Sequence, residues 1–146
     1  MREMIMNRLN KLALISSAVI STAFFGSSAM AQTAPNGTLT GVVVATKGIT
    51  LTCDLTLTLD AANNKGSIAM TAGDTNCAAL QFNSMPYTTS YSGGVLTLHN
   101  VDVTTITLGD CYGNISGSWD GTTLTIDSFL PAKTAGPACT VVGYAS

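Results

Sequence analysis

From Ile49 to Asp60 the chain alternates without a break. Apolar residues occupy positions 49, 51, 53, 55, 57 and 59, and Thr or Asp occupies every position between them. Successive side chains of a strand point to opposite faces, so this segment has one apolar face and one wet face. A helix would scatter the same residues around its circumference. A strand of this kind cannot stay alone, because its apolar face must be covered by another layer.

Further segments fit the same plan. Thr38 to Ala45 is mostly apolar and rich in β-branched residues. Ala61 to Gly66 is a turn-rich link into Ser67 to Thr71, where Ile68 and Met70 share a face, so a hairpin is predicted. Ser92, Gly93 and Gly94 break the chain before a strand over Val95 to Val103, and Thr104 to Leu108 is expected to continue as another strand. Asn114 to Ile126 is predicted to be a second hairpin turning at Asp120-Gly121, a pair suited to a two-residue type I′ turn. That turn would set Trp119 opposite Thr122, Gly117 opposite Leu124 and Ile115 opposite Ile126. Ile115, Trp119, Leu124 and Ile126 would then share one face, with Gly117 leaving room beside Leu124. No segment after residue 31 has a helical period. The expected fold is all-β, an antiparallel β-sandwich or barrel of about eight short strands.

The first thirty-one residues read differently. Arg2, Arg8 and Lys11 precede an uncharged, mostly apolar run from Leu12 to Phe25, and Ala29-Met30-Ala31 is a small-x-small cleavage pattern. The run is short for a membrane span. Residues 1–31 are therefore expected to be a cleavable signal-peptide helix and 32–146 a single β-sandwich domain. Gln32 to Gly37 is expected to be a mobile lead-in. The exported part would be secreted or periplasmic, with no transmembrane segment after cleavage.

Without residues 1–31 the chain has three Lys, seven Asp, no Arg and no Glu, a net charge of −4. Binding to nucleic acid needs clustered Lys or Arg, and these are absent. Anionic membrane surfaces are disfavoured for the same reason. Thr supplies water-facing strand positions without charge.

Cys53, Cys77, Cys111 and Cys139 all fall in the exported part. An even count in an oxidising compartment favours disulfides over a metal site. There is no CxxC, and His99 is the single histidine. Four cysteines permit three pairings. The halves echo each other, however: Ile49-Thr-Leu-Thr-Cys53 resembles Ile106-Thr-Leu-Gly-Asp-Cys111, and each is followed by a hairpin and a second cysteine. This favours Cys53–Cys77 and Cys111–Cys139, each loop contributing roughly 3 kcal/mol.

Catalytic groups are sparse. His99 alternates with Thr97 and Val101 on one strand face and reads as an ordinary surface or half-buried histidine. Asp54, Asp60, Asp74, Asp110 and Asp120 sit at turns or on wet faces, where turn geometry and solubility explain them. Gly113-Asn-Ile-Ser-Gly117 places its Ser one position late for a nucleophile elbow. Trp119 reads as hairpin core. Tyr87 and Tyr91, near Met85-Pro86, together with Tyr112, are the candidate binding surface. No cofactor and no metal are expected.

The second half also resembles a known family. Leu108-Gly-Asp-Cys-Tyr-Gly-Asn-Ile-Ser-Gly-Ser-Trp119, Gly121-Thr-Thr-Leu-Thr-Ile126, Leu130-Pro131 and Cys139-Thr-Val-Val-Gly143 resemble the secreted bacterial protein activators of alkane oxidation, the Pra-type family. Lys47-Gly-Ile-Thr-Leu-Thr-Cys53 and Met85-Pro-Tyr87 fit the same pattern. The resemblance implies an exported, non-enzymatic factor assisting growth on or uptake of long-chain alkanes, acting through interfacial or cell-surface binding. Its expected partners are long-chain alkane or cell-surface components. The competing reading is an extracellular structural subunit of a matrix, filament or adhesin, self-associating by strand-edge pairing. A hydrolase is the least favoured reading.

Overall fold

The alternation at Ile49–Asp60 forms the second of nine strands. The computed structural model describes residues 32–146 other than Leu108, so the expected signal segment lies outside the described residues. The strands are β1 (Gly37–Lys47), β2 (Ile49–Asp60), β3 (Lys65–Gly73), β4 (Gln81–Asn83), β5 (Tyr87–Ser92), β6 (Val95–Thr104), β7 (Cys111–Trp119), β8 (Leu124–Leu130) and β9 (Cys139–Ala145). Every pairing is antiparallel. No α-helix occurs among the described residues; the other regular elements are short 3₁₀ turns at Ala61–Asn63 and Thr75–Ala79.

The order β6-β5-β3-β2-β1-β9-β8-β7 returns to its start because β6 also pairs with β7. The sheet therefore closes into an eight-stranded barrel, which corrects the sandwich alternative. Sequence patterns are alike in the two architectures, since both bury every second residue; only the β6–β7 pairing separates them. β4 is the additional strand. It pairs with Asp102–Thr104, whereas β5 pairs with Val95–Leu98 of the same strand.

Inward positions carry the core: Leu51, Leu55, Leu57 and Leu59 of β2, Leu96, Leu98 and Val101 of β6, and Leu124, Ile126 and Leu130 of β8 are all buried. Each such side chain contributes about 1.5–3 kcal/mol relative to exposure. Outward positions of β2 are Thr or Asp. An apolar inside with a hydroxyl-rich outside is the reverse of the lipid-facing barrel pattern.

Several expectations need correction. Trp119 pairs with Leu124 and Gly117 with Ile126, so the turn is a four-residue loop rather than a two-residue one. Asp120 causes this. Its Oδ1 accepts from the amides of Thr122 (2.9 Å) and Thr123 (2.7 Å) and from the Thr122 hydroxyl (3.0 Å), and its own amide donates to the Thr123 carbonyl. The shift is two residues, which keeps every side chain on its expected face. Gly117 still gives Leu124 room: a Cβ there would lie 2.9 Å from Leu124 Cδ1.

Thr105 to Thr107 do not continue as another strand, and Leu108 lies outside the described residues. β6 ends at Thr104, Asp110 Oδ1 captures the Thr105 amide (3.0 Å), and the Thr105 hydroxyl donates to the Thr107 carbonyl (2.8 Å). His99 does not share a face with Val101, because a bulge lies between Leu98 and Val101. Asn100 takes φ 58° there, its amide donates to Asn114 Oδ1 (3.0 Å), and Val101 turns inward, fully buried. The lead-in before β1 makes hydrogen bonds to the β7–β8 end of the barrel. Trp119 Nε1 donates to the Thr33 carbonyl (3.0 Å), Gln32 Nε2 donates to the Asp120 carbonyl (2.8 Å), and Pro35 is buried.

Candidate functional site

One end of the barrel opens into an apolar mouth. The inward register of β1, which buries Leu39 and Val43, continues to Ala45 and Lys47 at the rim. β2 contributes Ile49 and Leu51, β3 Met70, β6 Val103, β7 Ile115, β8 Leu130 and β9 Val141; Leu80, Phe82 and Ile106 add to the lining, and Thr46, Thr105, Thr107, Cys139 and Thr140 also border it. The cavity volume is about 40 Å³. Deeper in the barrel a second void of about 10 Å³ shares Met70, Ile115 and Val141 with the mouth.

The cystines fix this end. Cys53–Cys77 and Cys111–Cys139 are both formed, with Cα–Cα distances of 5.6 Å and 6.2 Å, the pairing that the internal echo favours. The first fastens the Thr75–Ala79 turn to β2 and so sets where Leu80 and Phe82 emerge. The second joins the starts of β7 and β9 and bounds the 131–138 connection. That connection packs on the 105–110 loop: the Lys133 amide donates to the Gly109 carbonyl (2.8 Å), and its ammonium pairs with Asp102 at 2.9 Å. The hydrogen bond to Asp102 raises the Lys133 pKa above its ordinary value.

Lys47 is the unusual residue. It is only 5% exposed, and its ammonium donates to the Pro137 carbonyl. A lysine rarely goes inside without a partner. Sequence reading missed this residue, although the signal was present: Leu39, Val43 and Lys47 all fall on the inward register of one strand.

A second feature lies on the outer wall. β1, β9 and β8 are neighbours, and registry sets Val44 opposite Val142 and Val42 opposite Tyr144. Phe129, opposite Thr140, lies diagonal to Val142. Val44, Phe129, Val142 and Tyr144 are exposed, Phe129 by 65%. Apolar side chains that are exposed and contiguous across three strands differ from the scattered ones every surface carries.

The tyrosines are not brought together. Tyr87 points inward and is buried, its hydroxyl donating to the Asn83 carbonyl at 2.6 Å; burial pushes its pKa up. Tyr91 is half-buried and packs against the core. Tyr112 faces outward on β7 and is exposed. Tyr87 and Tyr112 thus lie on opposite sides of the wall.

His99 Nε2 lies 2.7 Å from Ser90 Oγ. Both are on the outer wall, and among the described residues no carboxylate is hydrogen-bonded to the ring, so the base lacks the orienting partner of a triad. Among the described residues no group of three His, Cys, Asp or Glu could hold a metal ion, and no helix is long and apolar enough to cross a membrane. Two disulfides fit an extracellular or periplasmic protein.

A family model described as alkane oxidation protein activator PraA/PraB-like matches residues 6–146. The chain belongs to that family. No curated protein and no solved structure matches it. Membership in the PraA/PraB-like family agrees with the resemblance carried by the Cys, Gly and Trp119 positions of the second half. The family's description is that of an activator rather than an enzyme. For this PraA/PraB-like barrel, the mouth and the outer band are the features that strand chemistry alone does not require.

Proposed function

We propose that this PraA/PraB-like protein is an exported, non-catalytic factor that assists growth on or uptake of long-chain alkanes by adsorbing to apolar surfaces. The outer band of Val42, Val44, Phe129, Val142 and Tyr144 carries this reading. Each of these side chains leaves water when the band meets an oil surface, gaining roughly 25 cal/mol per Å² covered. The cystines and the closed barrel hold the band preformed, so little ordering opposes adsorption. Thr, Asp54 and Asp127 around it keep the rest of the wall hydrated.

The structural-subunit reading has less support. It needs long unpaired edges, and closure through β6–β7 satisfies most of them.

The test is pendant-drop tensiometry with hexadecane. The purified protein should lower the interfacial tension well below that obtained with an unrelated secreted β-protein at equal concentration. Equal tension for the two proteins counts against the proposal.

A further inference from the structure

We infer that the barrel mouth binds an alkyl carboxylate, with Lys47 receiving the carboxylate and the barrel interior receiving the chain. This site uses none of the outer-band residues and stands apart from the surface reading above.

Charge carries the inference. Burying an ammonium is costly unless opposite charge or hydrogen bonds compensate it. Lys47 is 5% exposed and has one backbone carbonyl, that of Pro137, as its assigned acceptor. The ion pair among the described residues is Lys133–Asp102, elsewhere on the surface. A carboxylate arriving at the mouth would supply what Lys47 lacks. Of the hydroxyls there, those of Thr105 and Thr107 bond within their own loop, that of Thr46 lies 3.5 Å from Thr50 Oγ1, and that of Thr140 can add a neutral hydrogen bond to a head group. Among the described residues of the lining Lys47 is the one basic side chain, which suits it to an anionic head.

The rest of the lining selects the tail. Leu51, Met70, Leu80, Phe82, Val103 and Ile106 offer nothing to a polar chain. A water needs about 10–15 Å³ of such volume, so a cavity of about 40 Å³ is only the entrance to a chain site. The void resumes beyond Met70, which borders both cavities. Met is unbranched and readily changes rotamer, and Leu80 and Phe82 are only partly buried. A medium-length chain enters when these three side chains swing aside. Among the described residues Lys47 is the one buried lysine or arginine.

Calorimetric titration of the disulfide-intact protein with octanoate, octanol and octylamine tests the site. Octanoate should saturate one site at least tenfold more tightly than octanol, and octylamine should not bind. Lys47→Met removes the amine while keeping most of the unbranched stem and should bring octanoate down to the level of octanol. Ala45→Phe fills the mouth and should abolish both. Equal affinity for octanoate and octanol, an unchanged octanoate affinity in Lys47→Met, or no saturable octanoate binding would overturn the inference. If Lys47→Met does not fold, methyl NMR of the unaltered protein decides. Shifts at Ala45, Val103 and Ile106 with octanoate and not octylamine support the site, and shifts elsewhere, or none, overturn it.

Discussion

Reduction of the two disulfides is the perturbation with the best-defined cost. The bridges close segments of 24 and 28 residues, and the chain-entropy relation assigns each about 3.5 kcal/mol at 25 °C. Together they supply about 7 kcal/mol, against a usual domain total of about 5–15 kcal/mol. Reduction leaves all four sulfurs in place, so it removes the tether without opening cavities at Cys53, Cys77 and Cys111, which are fully buried. Urea unfolding followed by fluorescence of Trp119, the only tryptophan, reads the effect. With slopes of about 1–3 kcal/mol per molar urea, the midpoint should fall by at least about 2 M. Alkylation and mass measurement confirm that four thiols were free. An unchanged midpoint in fully reduced protein would refute the view that cystines are what keep this charge-poor barrel folded.

Gly117→Val forces a Cβ against Leu124 and the Thr125 carbonyl and should cost about 1–3 kcal/mol in urea unfolding; a neutral result would mean that β7 and β8 do not pack as described. Asp120 accepts backbone and hydroxyl hydrogen bonds that hold its pKa below the ordinary carboxylate value. Its contribution is therefore present above the unfolded-state pKa and lost as pH falls through the lowered folded-state value. The acid side of a stability–pH profile should flatten in Asp120→Asn, and an identical profile would remove Asp120 as a cause. β3 pairs with β5 only at Lys65–Thr88 and Gly66–Tyr87, and the Ile68 amide reaches Met85 Sδ instead of a carbonyl. Its hydrogen exchange should be about tenfold or more faster than that of amides in β1, which is paired on both sides; equal protection would contradict a weak seam there.

Much of the wall was legible in the sequence, because β2 and β8 bury every second residue and a period of two survives most errors of register. The Asp120 loop shows why: the pairing moved by two positions, yet Leu124 and Ile126 kept their faces. The bulge at His99 and Asn100 was not legible. It depends on Asn114 Oδ1 accepting the Asn100 amide from the adjacent strand, and no pattern within β6 records that partner. Barrel closure was equally hidden, since the β6–β7 pairing decides it. The mouth draws on residues from nearly every strand and two connections, so no local motif announces it. Tyr87 misled because a tyrosine beside a proline suggests surface, whereas its side chain is buried and its hydroxyl donates to the Asn83 carbonyl of β4.

Droplet adsorption with an edited outer band tests the functional account most directly. Val44→Thr, Phe129→Thr and Val142→Thr combined remove three of the five apolar side chains of the band while keeping residues suited to strands, and exposed changes of this kind cost little stability. The unaltered protein should concentrate on hexadecane droplets and lower their tension, and the folded triple variant should remain in the aqueous phase. Equal adsorption of the two would contradict the claim that this face is what meets oil.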